Sequence, residues 1–398
     1  MINKNNYKRI FFIEPNLIRG MGHVVEFPIS LKNYLRGSNN IFLIANKNVY
    51  SNVRKRINHL KGLILKSSFQ ELGSGGKYFH TDLKRIDKKY NLNSEDLVVV
   101  LTSYWNEIKG ANTYLFDKKI NCPKIVLWIH QIYPPQEDFK HTLDINFIKQ
   151  VKLGWKNTLN AIHSQISLAC TPSIGMKKYL ESITSEGINF LPLPYECIKP
   201  IKLNNINNIN IAFLGDGRYE KGLIMFLQAI SDHIDIAKFH IQKIYSRGYS
   251  REEKSDFSDL VKKLTKYKNI KFYNHSMFPD KFVKFISSMD LIVLPYHPRS
   301  YDKRVSGIFI QAIQHGVPCI ASDGTWIAEE IKKNKCGVIF KYDINKDYKY
   351  NSVSLNRTII ETVKNIKVLK SQTRKSMLTY RKIHSAKNFI KTLQKIIN

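Results

Sequence analysis

The segment Ile211–Ile230, IAFLGDGRYEKGLIMFLQAI, holds the densest set of residues able to handle a phosphate. An apolar run enters a loop with Gly215, Gly217 and Gly222, and Arg218 and Lys221 stand just before a helical pattern. Glycines let backbone N–H groups approach an anion, a helix N-terminus adds partial positive charge, and two cations neutralise a diphosphate. The same spacing also suits an ordinary strand–turn–helix connection with two solvated cations. The segment alone leaves both readings open.

A second stretch, Asp290–Ile331, runs from a strand into a polar loop, then a helix opened by Ser306 and Gly307 and carrying Gln311. Free N–H groups at that helix start would face an anion, and Gln311, one turn on, would either bond a polar ligand group or simply be exposed. His130 ends the apolar run Ile125–Ile129, where it would hydrogen-bond a hydroxyl, assist proton transfer or serve the fold. Gly20, Gly22 and His23 lie in the loop after the first strand. GMGHVV lacks the third glycine of a dinucleotide fingerprint, which argues against a nicotinamide cofactor. GSGGK (Gly73–Lys77) reads as a loop with no helical pattern starting cleanly after it.

Parallel sheet must position these residues. Apolar runs at Arg9–Glu14, Asn40–Ala45, Asp96–Leu101, Lys124–His130 and Ser167–Thr171 alternate with helical patterns. The pattern repeats at Ile209–Leu214, Ala237–Ile244, Asn269–Tyr273, Asp290–Pro295, Pro318–Ser322 and Gly337–Phe340. The expectation is an α/β chain of two Rossmann-like, doubly wound domains, 1–195 and 205–375, facing a cleft. The Pro- and Asn-rich segment Leu191–Asn210 would join them. Ser371–Asn398, with seven Lys/Arg and no acid, reads as one basic amphipathic helix; its part 376–398 is expected to pack back toward the first domain. Ligands of such folds sit beyond the carboxyl ends of the strands.

Taken together, GRYEKG and QAIQHGVPCIAS (Gln311–Ser322) resemble the donor domain of GT-B glycosyltransferases, in particular glycosyltransferase family 4 and the group 1 glycosyl transferases. The resemblance implies that Arg218 and Lys221, with Gly20, Gly22, Ser306 and Gly307, hold the diphosphate of a nucleotide-sugar donor. It places Gln311 where the family has the glutamate that binds the donor ribose, and Lys303 where it has the glutamate near the sugar. Lys303 and Arg304 are then set to contact phosphate or an acidic sugar. KIVLWIHQIYPP resembles the family's strand ending in a histidine near the donor sugar, which assigns His130 to the transfer step. Sugar transfer with retention and without a metal or other cofactor is what the resemblance implies.

The chain has 63 Lys and Arg against 32 Asp and Glu, a net charge of +31. Such an excess favours anionic partners without specifying the fold. Segment Lys47–Lys66, with six Lys/Arg among apolar residues, reads as a stripe for an anionic membrane surface or as a solvated helical face. A glycan or lipid-linked acceptor in bacterial surface polysaccharide synthesis fits that surface. Two other readings fit the fold or the charge, a nucleotide-sugar 2-epimerase and a nucleic-acid-binding protein, though no nucleic-acid-binding signature occurs. The five cysteines are scattered, without metal-ligand spacing. With no secretory signal or spanning run read in the sequence, the expected location is cytoplasmic, peripheral to the membrane where the basic stripes bind.

Overall fold

A computed structural model describes residues 7–18, 22–36, 38, 40–57, 60–68, 74–133, 145–197, 209–232, 234–244 and 248–398. The chain forms two compact units, one from Met1–Pro135, Ile148–Glu196 and His384–Asn398, the other from Gln136–Phe147 and Cys197–Ile383.

The first unit has seven parallel strands: β1 (Arg9–Glu14), β2 (Ile41–Asn46), β3 (Lys61–Ile64), β4 (Asp96–Ser103), β5 (Lys124–Ile129), β6 (Ile166–Cys170) and β7 (Ile188–Phe190). They lie in the order β3-β2-β1-β4-β5-β6-β7. Every residue of β4 is buried, as expected when helices cover both faces of a parallel sheet. The order reverses between β1 and β4, so the crevice at their carboxyl ends is this unit's natural ligand position.

The second unit repeats the design with β8 (Asn210–Phe213), β9 (Lys238–Gln242), β10 (Ile270–Tyr273), β11 (Leu291–Leu294), β12 (Cys319–Ser322) and β13 (Gly337–Phe340). Their order is β10-β9-β8-β11-β12-β13, with the reversal between β8 and β11. Two Rossmann-like α/β sheets are therefore present. The loop Leu214–Gly222 leaves β8 on one side of this second switch point, and Pro295–His297 leave β11 on the other.

Several expectations need correction. The C-terminal segment is two helices, Ile366–Ile383 and Ala386–Ile397, because Ser385 caps the second by accepting from Asn388 N at 3.2 Å. Phe389, Ile390 and Leu393 of that last helix are buried in the first unit, with the Phe389 ring 5.2 Å from Trp128 on β5. Lys47–Lys66 is no continuous helical stripe: it contains the short helix Ser51–Arg56 and the edge strand β3. A helix, Lys77–Tyr90, does begin at the last residue of GSGGK, since Phe79, Leu83 and Ile86 share one buried face. Gly76 caps it at φ 86°, where a Cβ would lie 2.5 Å from Gly110 N.

Candidate functional site

In the second unit, burial of Phe213 and Leu214 anchors the loop that follows β8. Gly215 has φ 102° and donates its N–H to Gln242 Oε1 at 2.7 Å. Gly217 donates to Ile244 O at 2.6 Å, while Tyr249 Oη donates to Gly217 O at 2.8 Å. Tyr219–Lys221 form one turn of 3-10 helix, and the longer helix Leu223–Ile230 starts after Gly222. Gly222 is required there: its φ is 71°, and a Cβ would fall 2.1 Å from Pro295 O. The loop is thus pinned against both β9 and the segment leaving β11.

Four charged side chains meet within this loop. Arg218 Nη1 lies 2.5 Å from Glu220 Oε1, Arg218 Nε lies 2.7 Å from Asp216 Oδ2, and Lys221 Nζ is ion-paired with Asp216 Oδ1. Arg218 Nε is buried and makes no hydrogen bond despite that proximity. Burial alone would raise the Asp216 carboxyl, but Lys221 and then Arg218 hold it well below the usual carboxylate range. Burial likewise opposes the Arg218 charge, and Asp216 and Glu220 outweigh it, so the guanidinium is held protonated more firmly than in water. His297 N closes over the turn by donating to Glu220 O at 2.8 Å, and the Tyr296 ring lies 5.9 Å from Lys221 Nζ.

The helix Gly307–Gln314 adjoins this loop, since a Cβ on Gly215 would come within 3.0 Å of Ile308 Cδ1. Arg218, Lys221, Ser306 and Gly307 are thereby brought into one neighbourhood. Ser306 is the helix cap, accepting from Phe309 N at 3.3 Å. Arg304 stacks 5.1 Å from the Tyr301 ring and helps lower the Asp216 carboxyl. Lys303 is paired with Asp302. Gln311 is buried, so its exposed alternative does not apply.

The first unit has a cluster of its own. His130 follows β5 with its ring 5.2 Å from His23, 4.2 Å from Trp128 and 5.8 Å from Phe27. His23 opens the helix His23–Tyr34 after Gly22, whose φ is 68°. The first loop and the β5 histidine therefore meet, while Gly20 lies outside the described residues. Nearby in the fold, Glu14 ends β1 fully buried and accepts from Thr102 Oγ1 at 2.8 Å and Asn16 N at 3.0 Å. Burial pushes its carboxyl up to about 8, against those two hydrogen bonds.

Asp216, Glu220 and Glu14 were missed by reasoning from sequence. The first two carried a signal, acids interleaved with bases in D-x-R-x-E-K, whereas Glu14 gave none beyond an acid at the end of an apolar run.

Residues 208–351 match the family described as Glycosyl transferases group 1. The match lies within the second unit and spans its sheet from β8 to β13. Among solved structures, sucrose-phosphate synthase from Thermosynechococcus elongatus aligns with TM-score 0.70 and 12% identity over 98% of each chain. HepE from Anabaena, in complex with UDP and glucose, aligns at 0.65 and 10%, covering 97% of this chain and 98% of its own. WaaG, a glycosyltransferase involved in lipopolysaccharide biosynthesis, aligns at 0.63 and 13%, covering 98% and 99%. At such identities the likeness is one of fold, here the GT-B pair of Rossmann-like sheets. No curated protein sequence matches the chain. The group 1 match falls on the unit that carries Arg218 and Lys221, and the chain is a glycosyltransferase.

Proposed function

We propose that the enzyme moves a sugar from a nucleoside-diphosphate sugar to a hydroxyl of a glycan or lipid-linked acceptor. The observation that carries this is the convergence of Arg218, Lys221 and the Gly307 helix start at the β8/β11 switch point, within the group 1 match. In the reaction, the bond from the anomeric carbon to the diphosphate oxygen breaks as the acceptor oxygen bonds to that carbon. The acceptor's proton leaves with the departing phosphate. Charge grows on the diphosphate, and preorganised cations stabilise it without reorganisation. That arrangement supplies the role a divalent cation plays elsewhere, so we propose metal-independent transfer, with retention following from the family resemblance.

HepE is described in complex with UDP-glucose, which supports a uridine donor as the first to try, and WaaG's role supports a surface-glycan acceptor. His130, stacked on His23 beside the first loop, is proposed to orient the donor sugar. The test is to incubate the enzyme with UDP-, GDP- and ADP-sugars, with and without EDTA, and follow nucleoside-diphosphate release and product configuration. Release of one nucleoside diphosphate, unaffected by EDTA, supports the proposal. Release abolished by EDTA and restored by Mn²⁺ defeats metal independence, and no release or binding with any donor defeats the donor assignment.

A further inference from the structure

The ion cluster after β8 is closed as it stands. Asp216 and Glu220 together cancel the charges of Arg218 and Lys221, so the loop offers an incoming anion little net attraction beyond Arg304. The order of burial is informative. The side chains of Arg218, Lys221 and Glu220 are 7%, 11% and 12% exposed, whereas that of Asp216 is 20% exposed. The acid is the outermost member of the cluster, spanning Arg218 with one oxygen and Lys221 with the other. Those are the two cations that the donor reading needs for a diphosphate.

We propose that Asp216 is an internal counter-anion, occupying the diphosphate's place on Lys221 and Arg218 and displaced when the donor binds. The inference rests on the reading of this loop as the donor's phosphate grip. Three features make the exchange feasible. Arg218 keeps Glu220 as a partner throughout, and Glu220 is itself fixed through its carbonyl to His297 N. The buried Arg218 Nε has no hydrogen bond while Asp216 is in place, and a phosphate oxygen arriving there would satisfy it. The backbone on both sides of Asp216 is held by the Gly215 and Gly217 hydrogen bonds, so the exchange asks only for rotation of the Asp216 side chain.

The device has two consequences. A small anion of one or two charges gains little by exchanging for a carboxylate that is already held at the end of its own tether. A diphosphate brings more charge and more oxygens, so it outcompetes where orthophosphate does not. After transfer, the same carboxylate is ready to retake the cations as the nucleoside diphosphate leaves, which hastens product release.

The experiment is calorimetric titration of the full-length protein with UDP, GDP, ADP, pyrophosphate and orthophosphate, in wild type, Asp216→Asn, Lys221→Met and the double variant. Asp216→Asn is expected to bind pyrophosphate and the preferred nucleoside diphosphate ~10-fold more tightly and to bind orthophosphate measurably, the scale of one charge-assisted contact. Lys221→Met should weaken binding, and adding Asp216→Asn to it should restore much less than 10-fold, because the two residues act on one another. Asp216→Ser serves the same purpose should the Asn variant fold poorly. Equal or weaker binding in both Asp216 variants, with Lys221→Met still impaired, overturns the counter-anion and leaves the donor site standing. Absence of binding by every probe in wild type, unchanged in the variants, overturns the donor-site reading itself.

Discussion

Arg218 and Lys221 look equivalent in the sequence, two cations flanking one turn, but the fold separates them. Arg218 is the buried hub between two carboxylates, so Arg218→Ala leaves Glu220 without its cation and Asp216 with Lys221 alone. Removing one member of a buried pair costs about 3–5 kcal/mol. Denaturant melts should therefore show Arg218→Ala strongly destabilised. Lys221→Met keeps the methylene stem and should lower stability less, while weakening nucleoside-diphosphate binding by ~10-fold or more. Equal melting midpoints for the two variants would contradict this division. His130 belongs to the same scale. Its ring is half-buried and stacked among His23, Trp128 and Phe27, so His130→Ala should reduce turnover of the donor sharply, with a modest drop in melting temperature and little change in nucleoside-diphosphate affinity. Near-normal turnover per folded molecule would assign the residue to packing alone. Both cations, the glycines and His130 were legible in the sequence because their chemistry is local to a strand end. Which charges pair was not: nothing in D-x-R-x-E-K says that Asp216 spans both cations. The Glu14–Thr102 hydrogen bond joins residues 88 apart, which is beyond any local pattern.

At the scale of elements, the long apolar strands were readable and the two sheet edges were not. β3 and β7 lie at the ends of their sheet and are short, with Lys61, Gly62 and Asn189 diluting the apolar pattern that marks a central strand. The break between the last two helices was hidden because both helices continue the same basic amphipathic composition, and only Ser385 marks the cap. Two of these element ends set opposite pH dependences. Glu14, at the end of β1, has its folded carboxyl pushed from an ordinary 4.5 up to about 8 by burial. The folded state then holds a proton that the unfolded chain has released, so stability falls as pH rises between those values, by up to about 1.4 kcal/mol per pH unit. His384, between the last two helices, is fully buried and accepts from Leu193 N at 3.3 Å, and burial pushes its imidazole from 6.5 down to about 3. Here the unfolded chain binds the proton first, so stability is lost as pH falls below about 6.5. Melting temperature measured against pH should decline on both sides. Glu14→Gln should flatten the alkaline side alone, and an unchanged alkaline slope in that variant would exclude Glu14 as its cause.

For the whole molecule the dominant fact is a net charge of +31, and the fold decides how it can act. No helix among the described residues is long and apolar enough to cross a membrane. In Lys47–Lys66 the apolar residues Val49, Val53, Ile57 and Ile64 are buried, while Lys47, Arg54, Lys55, Arg56 and Lys61 are exposed. In the last helix Phe389, Ile390 and Leu393 are spent on the first unit's core, leaving Lys387, Lys391 and Lys395 exposed. Few apolar side chains of the two stripes stay exposed, Tyr50, Leu378 and Ile383 among them, so attachment to a bilayer is expected to be carried mainly by charge. Each cation near an anionic surface contributes about 1 kcal/mol, and that attraction fades beyond a Debye length of about 8 Å at physiological salt. Sedimentation with phosphatidylglycerol vesicles should therefore show binding at low salt that is lost as NaCl rises to about 0.5 M, and none to phosphatidylcholine. Charge reversal at Arg54, Lys55 and Arg56 should lower the low-salt binding without altering nucleoside-diphosphate affinity. Binding that survives high salt would mean that apolar groups do enter the bilayer. Leu378, 69% exposed on the helix Ile366–Ile383, would be the first to replace, because it is more exposed than Tyr50 or Ile383 and an apolar side chain inserted in the bilayer is not released by salt.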